Sequence, residues 1–197
     1  MTTTTNALDA LLYIRDGYAS ARWNFSDAVG SPVAWPAGIG HSVSLTYSFP
    51  TATPTYFPES AFVAFDSVQE QATRDVLALI AEVVGVEFAE VSGVGQMTFA
   101  MSSQPAGQGG YAYAPSYSYG YSGGTITSVT EQGVAGDVWL NRYANWSAED
   151  WHPGHNGYAT LMHEIGHALG LKHPFASTPS GYTLASSLDD ESHTVMS

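Results

Sequence analysis

A chain of 197 residues with 44% hydrophobic content is long enough to bury one core, so a single globular domain over residues 1–197 is the expectation. Eighteen acidic residues against five basic ones set the formal charge at -13, which repels phosphate backbones and argues against nucleic acid as a partner, while zero cysteines rule out disulfides, thiolate metal ligands and a cysteine nucleophile. Residues 1–6 are a polar threonine run rather than a charged, apolar leader, and no apolar stretch approaches the roughly eighteen residues that a membrane span requires.

Residues 1–40 read as an N-terminal helix and extension, with Leu8, Leu11, Leu12 and Tyr18 at helical spacing between an Asn6 cap and Arg22. Residues 43–49 alternate Val43, Leu45, Tyr47 and Phe49 as a half-buried strand. Asp66 or Ser67 then caps an amphipathic helix through about Val84, with Val76, Leu77, Ile80 and Val83 on its buried face and Gly85 as its stop. Short strands follow at 86–91 and 96–101, separated by the turn-forming Ser92-Gly93. Residues 104–128 have the Gly, Tyr and Ser content of a flexible loop, yet 110–115 alternates as a strand. Val138 to Asn141 reads as the last strand, and 158–169 as a helix whose Leu161, Ile165, Ala168 and Leu169 form a buried stripe. Beyond His173 the chain reads as irregular through Ser192. Strands before and between helices, without regular βαβ alternation, make the fold class α+β.

The run His163-Glu164-Ile165-Gly166-His167-Ala168-Leu169-Gly170-Leu171-Lys172-His173 carries the chemistry. At about 100° per residue, His163 and His167 lie roughly 40° apart on one helix face, one turn above the other. His173 would be swung about 120° off that face if the helix continued, so the helix must break, and Gly170 is placed to break it in a left-handed conformation. Three neutral imidazoles suit zinc, and three protein ligands leave a fourth position for water, the mark of a catalytic rather than a structural site. Glu164 is then the general base that takes the proton of a zinc-activated water and passes it to a leaving amine. The reaction class is peptide-bond hydrolysis.

This extended motif resembles that of the metzincin metallopeptidases, and Pro174 after the third histidine is similar to the serralysin branch. Gly136-Asp137-Val138-Trp139-Leu140-Asn141, Pro153-Gly154, Gly157-Tyr158-Ala159-Thr160-Leu161-Met162 and Thr194-Val195-Met196-Ser197 resemble serralysin catalytic-domain segments, and Arg22-Trp23 and 43–49 fit more loosely. The resemblance implies a zincin domain with a twisted, mostly parallel sheet of about five strands, an antiparallel edge strand, and long helices that include the active-site helix. It implies that Met196, 23 positions after His173, is the Met-turn methionine lying beneath the metal. It also makes the strand holding Tyr111, Ala112, Tyr113 and Ala114 the edge of the cleft, where an extended polypeptide substrate would bind by strand addition.

The family's tyrosine two residues after the methionine, its C-terminal helix and its calcium-binding roll have no counterpart here, so the resemblance implies the catalytic part of a longer parent. It makes zinc the cofactor and assigns calcium mainly to that absent region, which is itself a candidate partner. Secretion to the extracellular space is implied in the same way. Asp189, Asp190 and Glu191 form the densest acidic cluster, for which a solvated loop explains as much as a calcium site. His41, His152, His155 and His193 read as loop residues, since the motif already supplies a full ligand set. The rival reading is a non-catalytic, zinc-stabilised binding module or an inactive truncated fragment; retention of Glu164 counts against it.

Overall fold

In chain order the elements are β1 (Thr2–Thr3), α1 (Ala7–Leu11), β2 (Ile14–Arg15), β3 (Tyr18–Ala19), a 3-10 helix (Trp23–Ala28), β4 (Val43–Ser48), β5 (Val63–Ala64), α2 (Ser67–Ala81) and β6 (Val86–Glu90). There follow β7 (Met97–Ser102), β8 (Gly110–Ala112), β9 (Tyr117–Ser122), β10 (Thr125–Glu131), β11 (Val138–Asn141), a second 3-10 turn (Ala148–Trp151), α3 (Asn156–Ala168) and β12 (Tyr182–Thr183). The computed structural model describes residues 2–3, 7–15, 18–32, 41–56, 61–177 and 181–197. These fall into two compact units, one within Ser42–Tyr113 and Gly133–Ala168, the other within Met1–His41, Ala114–Gln132 and Leu169–Ser197.

The first of these units holds a six-stranded sheet in the order β6-β4-β7-β11-β8, with β5 paired to β7 off that path. β6, β4, β7 and β11 run parallel, whereas β8 lies antiparallel on β11 and forms the sheet's edge. This is the mostly parallel α+β arrangement that the sequence implies. Each strand buries the face its residues provide: Leu45 and Tyr47 from β4, Phe99 from β7 and all four residues of β11. Above them pack Val76 and Leu77 of α2 and Leu161 and Ile165 of α3, each at most 1% exposed. No helix among the described residues is long and apolar enough to cross a membrane.

α2 opens on a capping box in which Asp66 Oδ1 accepts from the amides of Val68 and Gln69 while Gln69 returns a bond to the Asp66 amide. The helix closes at Ala81, earlier than the Gly85 stop, and the Val83 amide tightens the last turn by bonding the Ile80 carbonyl three residues back. Val83 therefore leaves the buried face assigned to it and stands 77% exposed. Leu169, beyond the end of α3, is likewise only half-buried.

The other unit corrects two further readings. The N-terminal helix ends at Leu11 instead of running to Arg22. Leu12 bridges to Leu171, the Leu11 carbonyl accepts from the Lys172 amide, and Ser20 bonds the Tyr13 carbonyl through both its amide and its hydroxyl. The acceptors that would extend the helix are thus used by other segments, and β2 and β3 pair as an antiparallel hairpin. The Asn6 cap lies outside the described residues. The second correction is the Gly, Tyr and Ser-rich region, which forms the antiparallel hairpin of β9 and β10 rather than a loop. Gly123 and Gly124 make its turn with φ of 59° and 79°, a pair of left-handed positions that glycine adopts at little cost. Phe25 stacks on Tyr117 and Tyr119 of that hairpin at centroid distances of 5.0 and 5.9 Å.

Candidate metal centre

Helix α3 places His163 and His167 one turn apart, with their Nε2 atoms separated by 3.1 Å and their rings nearly perpendicular at 84°. The helix ends at Ala168, and Gly170 turns the chain with a φ of 103° at a place where any side chain would run into the Ala21 carbonyl. Within this unbroken segment of eleven residues, ligand nitrogens of His163, His167 and His173 all lie within 4.8 Å of one another. Tetrahedral zinc with bonds of about 2.0 to 2.1 Å needs its ligand atoms roughly 3.3 Å apart, so a small adjustment of the third imidazole satisfies the geometry. Imidazole nitrogens without carboxylates or thiolates suit zinc in kind as well. Among the described residues, no other group of three or more histidine or acidic side chains converges in this way.

Glu164 is 6% exposed, and burial pushes its carboxyl up to about 7. Its Oε2 has no hydrogen-bond partner among the described residues. A buried carboxyl with one unpartnered oxygen is a candidate functional group. Beside it runs the edge strand: the Gly110 backbone packs so closely on Glu164 that a β-carbon there would stand 3.0 Å from Glu164 Cγ.

The four residues expected to hold substrate are not all in that strand. Tyr111 and Ala112 belong to β8, paired with Trp139 and Val138. Tyr113 continues past its end, donating to the Asp137 carbonyl at 2.9 Å and accepting from the Gly136 amide at 2.8 Å. Ala114 falls in the other unit. The strand stops short of Pro115 because its partner β11 begins only at Val138, just after the turn at Gly136. Met196 is 1% exposed, with its amide donating to Thr194 Oγ1 at 3.1 Å, which places it in a packed interior rather than a frayed tail.

Lys172 gave no signal in the sequence as a site residue. Its side chain is 1% exposed and its ammonium donates to four backbone carbonyls, those of Ala10, Ala176, Tyr182 and His173 at 2.5, 2.7, 3.1 and 3.2 Å. With three protons and four acceptors, the ammonium shares at least one proton between two carbonyls. Burial pulls its pKa below the ordinary lysine value. The loop bearing His173 is thus wrapped around an internal cation and tied to α1.

The remaining histidines behave as loop residues. His41 faces Asp27 at 3.2 Å, His155 faces Glu149 at 3.4 Å and His193 faces Asp190 at 2.9 Å, all at the surface. In the acidic cluster, Asp190 Oδ1 accepts from the Ser192 amide and hydroxyl and faces His193, contacts that hold its carboxyl well below the usual range.

Residues 26–197 match the family model described as Metallo-peptidase family M12. The chain is 32% identical to Serralysin G of Dickeya chrysanthemi over 141 residues, covering 69% of this chain and 28% of that protein. It is 31% identical to Metalloprotease AprA of Pseudomonas entomophila (strain L48) over 140 residues, and 28% identical to Serralysin of Proteus mirabilis over 152 residues. These matches cover 26% and 28% of the two relatives, so the chain spans less than a third of the length of the curated proteins it matches.

Proposed function

The chain belongs to metallo-peptidase family M12 as a serralysin-like metzincin, and from that premise we propose that it is a secreted zinc endopeptidase acting on polypeptides outside the cell. The observation that carries the reading is the convergence of three imidazoles within 4.8 Å in the segment that also bears Glu164, a buried carboxyl whose Oε2 has no hydrogen-bond partner among the described residues. When bound, zinc supplies Lewis acidity that polarises a carbonyl and acidifies water.

The protein's own groups do the rest. Glu164 accepts a proton from water at Oε2 as the hydroxide adds to the scissile carbonyl carbon, then returns the proton to the departing amine as the C–N bond breaks. β8, last in the sheet order, with Tyr111 and Ala112 followed by Tyr113 and Ala114, offers backbone amides and carbonyls to an extended substrate. Specificity is then carried mainly by the backbone and is permissive. Met196 serves as an apolar floor to the metal, and 1–197 acts as one catalytic domain, since a single family model spans 26–197.

Casein turnover by the parent and by Glu164→Gln, each with its zinc content measured, tests this. The variant should keep its zinc and lose roughly 10²- to 10⁴-fold in turnover. Equal turnover would remove Glu164 from the mechanism, and a zinc-loaded parent that cleaves nothing would make the chain a zinc-stabilised binding module.

A further inference from the structure

Gly109 and Gly110 meet the face of α3 that carries Thr160 and Glu164, two positions one helical turn apart. A β-carbon at Gly110 would stand 2.9 Å from Leu140 Cδ2, 3.0 Å from Glu164 Cγ and 3.2 Å from the Trp139 carbonyl. At Gly109 it would stand 2.9 Å from Thr160 Cγ2 and 3.3 Å from Thr160 Oγ1. Neither glycine has a positive φ, in contrast to Gly107 just before them, so space and not backbone conformation excludes a side chain at both. Register adds a constraint, because Gly110 is the cross-strand partner of Leu140, the Gly109 carbonyl accepts from the Asn141 amide, and Gln108 Nε2 holds the Gly110 carbonyl at 3.1 Å. The strand cannot slide to make room without breaking its ladder.

We infer that Gly109 and Gly110 form a positioning device for Glu164, a side-chain-free seat that lets the edge strand lie directly on the glutamate and hold its carboxyl in one orientation. Glu164 Cγ sits two bonds from the oxygens, so any displacement at Cγ is carried to the carboxylate. A misplacement of about 1 Å at a reacting group costs on the order of 100-fold in rate, and the few tenths of an ångström that a methyl at position 110 requires lie on that scale. The same backbone contact sets how far the substrate-binding edge stands from the base, which ties strand and helix into one unit. This inference rests on the reading of Glu164 as general base.

Gly110→Ala separates positioning from general damage. The variant should lose about tenfold or more in kcat while KM and zinc affinity, measured by chelator competition, stay within about twofold, and its crystal structure should show the Glu164 carboxyl displaced. Unchanged kcat, an effect confined to KM, or an unmoved carboxyl would each overturn the inference. Gly109→Ala with Thr160→Ser decides the case if Gly110→Ala does not fold. Gly109→Ala alone should lower kcat, and removal of the Thr160 methyl should restore it to within about twofold. Parent-like kcat in Gly109→Ala, or no recovery in the double variant, would also overturn it. If Glu164→Gln itself turns over like the parent, the general-base reading fails, whereas the crystal structure of Gly110→Ala still tests the seat.

Discussion

Asp137 and Glu164 are both buried carboxyls raised by loss of water, to about 8 and about 7, but their neighbours assign them different work. Glu164 lies beside His163, one of the three converging imidazoles. Asp137 instead sits at the start of β11, 1% exposed, partly offset by bonds from Thr98 and Tyr56, with Oδ2 lacking any partner among the described residues. Because its folded pKa lies above the unfolded value of 3.8, the folded state holds this proton more tightly. The stabilisation is full below about pH 4 and is lost as the pH climbs toward 8, at up to about 1.4 kcal/mol per pH unit. Asp137→Asn, which keeps Oδ1 as an acceptor and cannot ionise, should therefore gain stability relative to the parent as pH rises through that window. Urea unfolding at several pH values checks this; a stability difference that does not vary with pH would contradict it. At this scale the sequence was legible only where a motif was present: the convergence of His163, His167 and His173 was readable from spacing, but nothing in Gly-Asp-Val distinguishes a buried acid from a turn residue.

Among the elements, those written in a clear hydrophobic period were legible: β4 from its alternation, α2 from its cap and apolar stripe, α3 from the spacing that also places the ligands. The failures have two causes. Leu8, Leu11 and Leu12 have helical spacing, yet the chain turns after Leu11 because Leu171 and Lys172, some 160 residues away, take the bonds of Leu12 and Leu11. β9 was hidden because glycine and serine alternate with tyrosine in it, so low complexity masked a period of two. Lys172 was illegible because its burial joins three nearby carbonyls, those of His173, Ala176 and Tyr182, to the distant Ala10 carbonyl of α1. Replacing it with methionine keeps the stem but leaves those buried carbonyls without their donor, which should cost about 2–5 kcal/mol. Denaturant unfolding in the presence of chelator, so that metal binding does not enter, measures this loss; a change under about 1 kcal/mol would show that the ammonium is not what holds the loop.

Taken whole, the chain crosses between its two units four times, at 41/42, 113/114, 132/133 and 168/169, a partition that no composition shift announces. What composition did convey was class: a strongly acidic, cysteine-free chain that must obtain any metal site from histidines and carboxylates. The family match over 26–197 spans the histidine segment and the sheet strands that precede it. The central claim is that three imidazoles share one divalent ion, and zinc affinity of the single variants His163→Ala, His167→Ala and His173→Ala tests it most directly. The parent should bind one equivalent, and each variant should lose more than the roughly 10- to 100-fold that removal of an outer-shell partner costs. A His173→Ala protein that binds zinc as tightly as the parent would contradict the shared site.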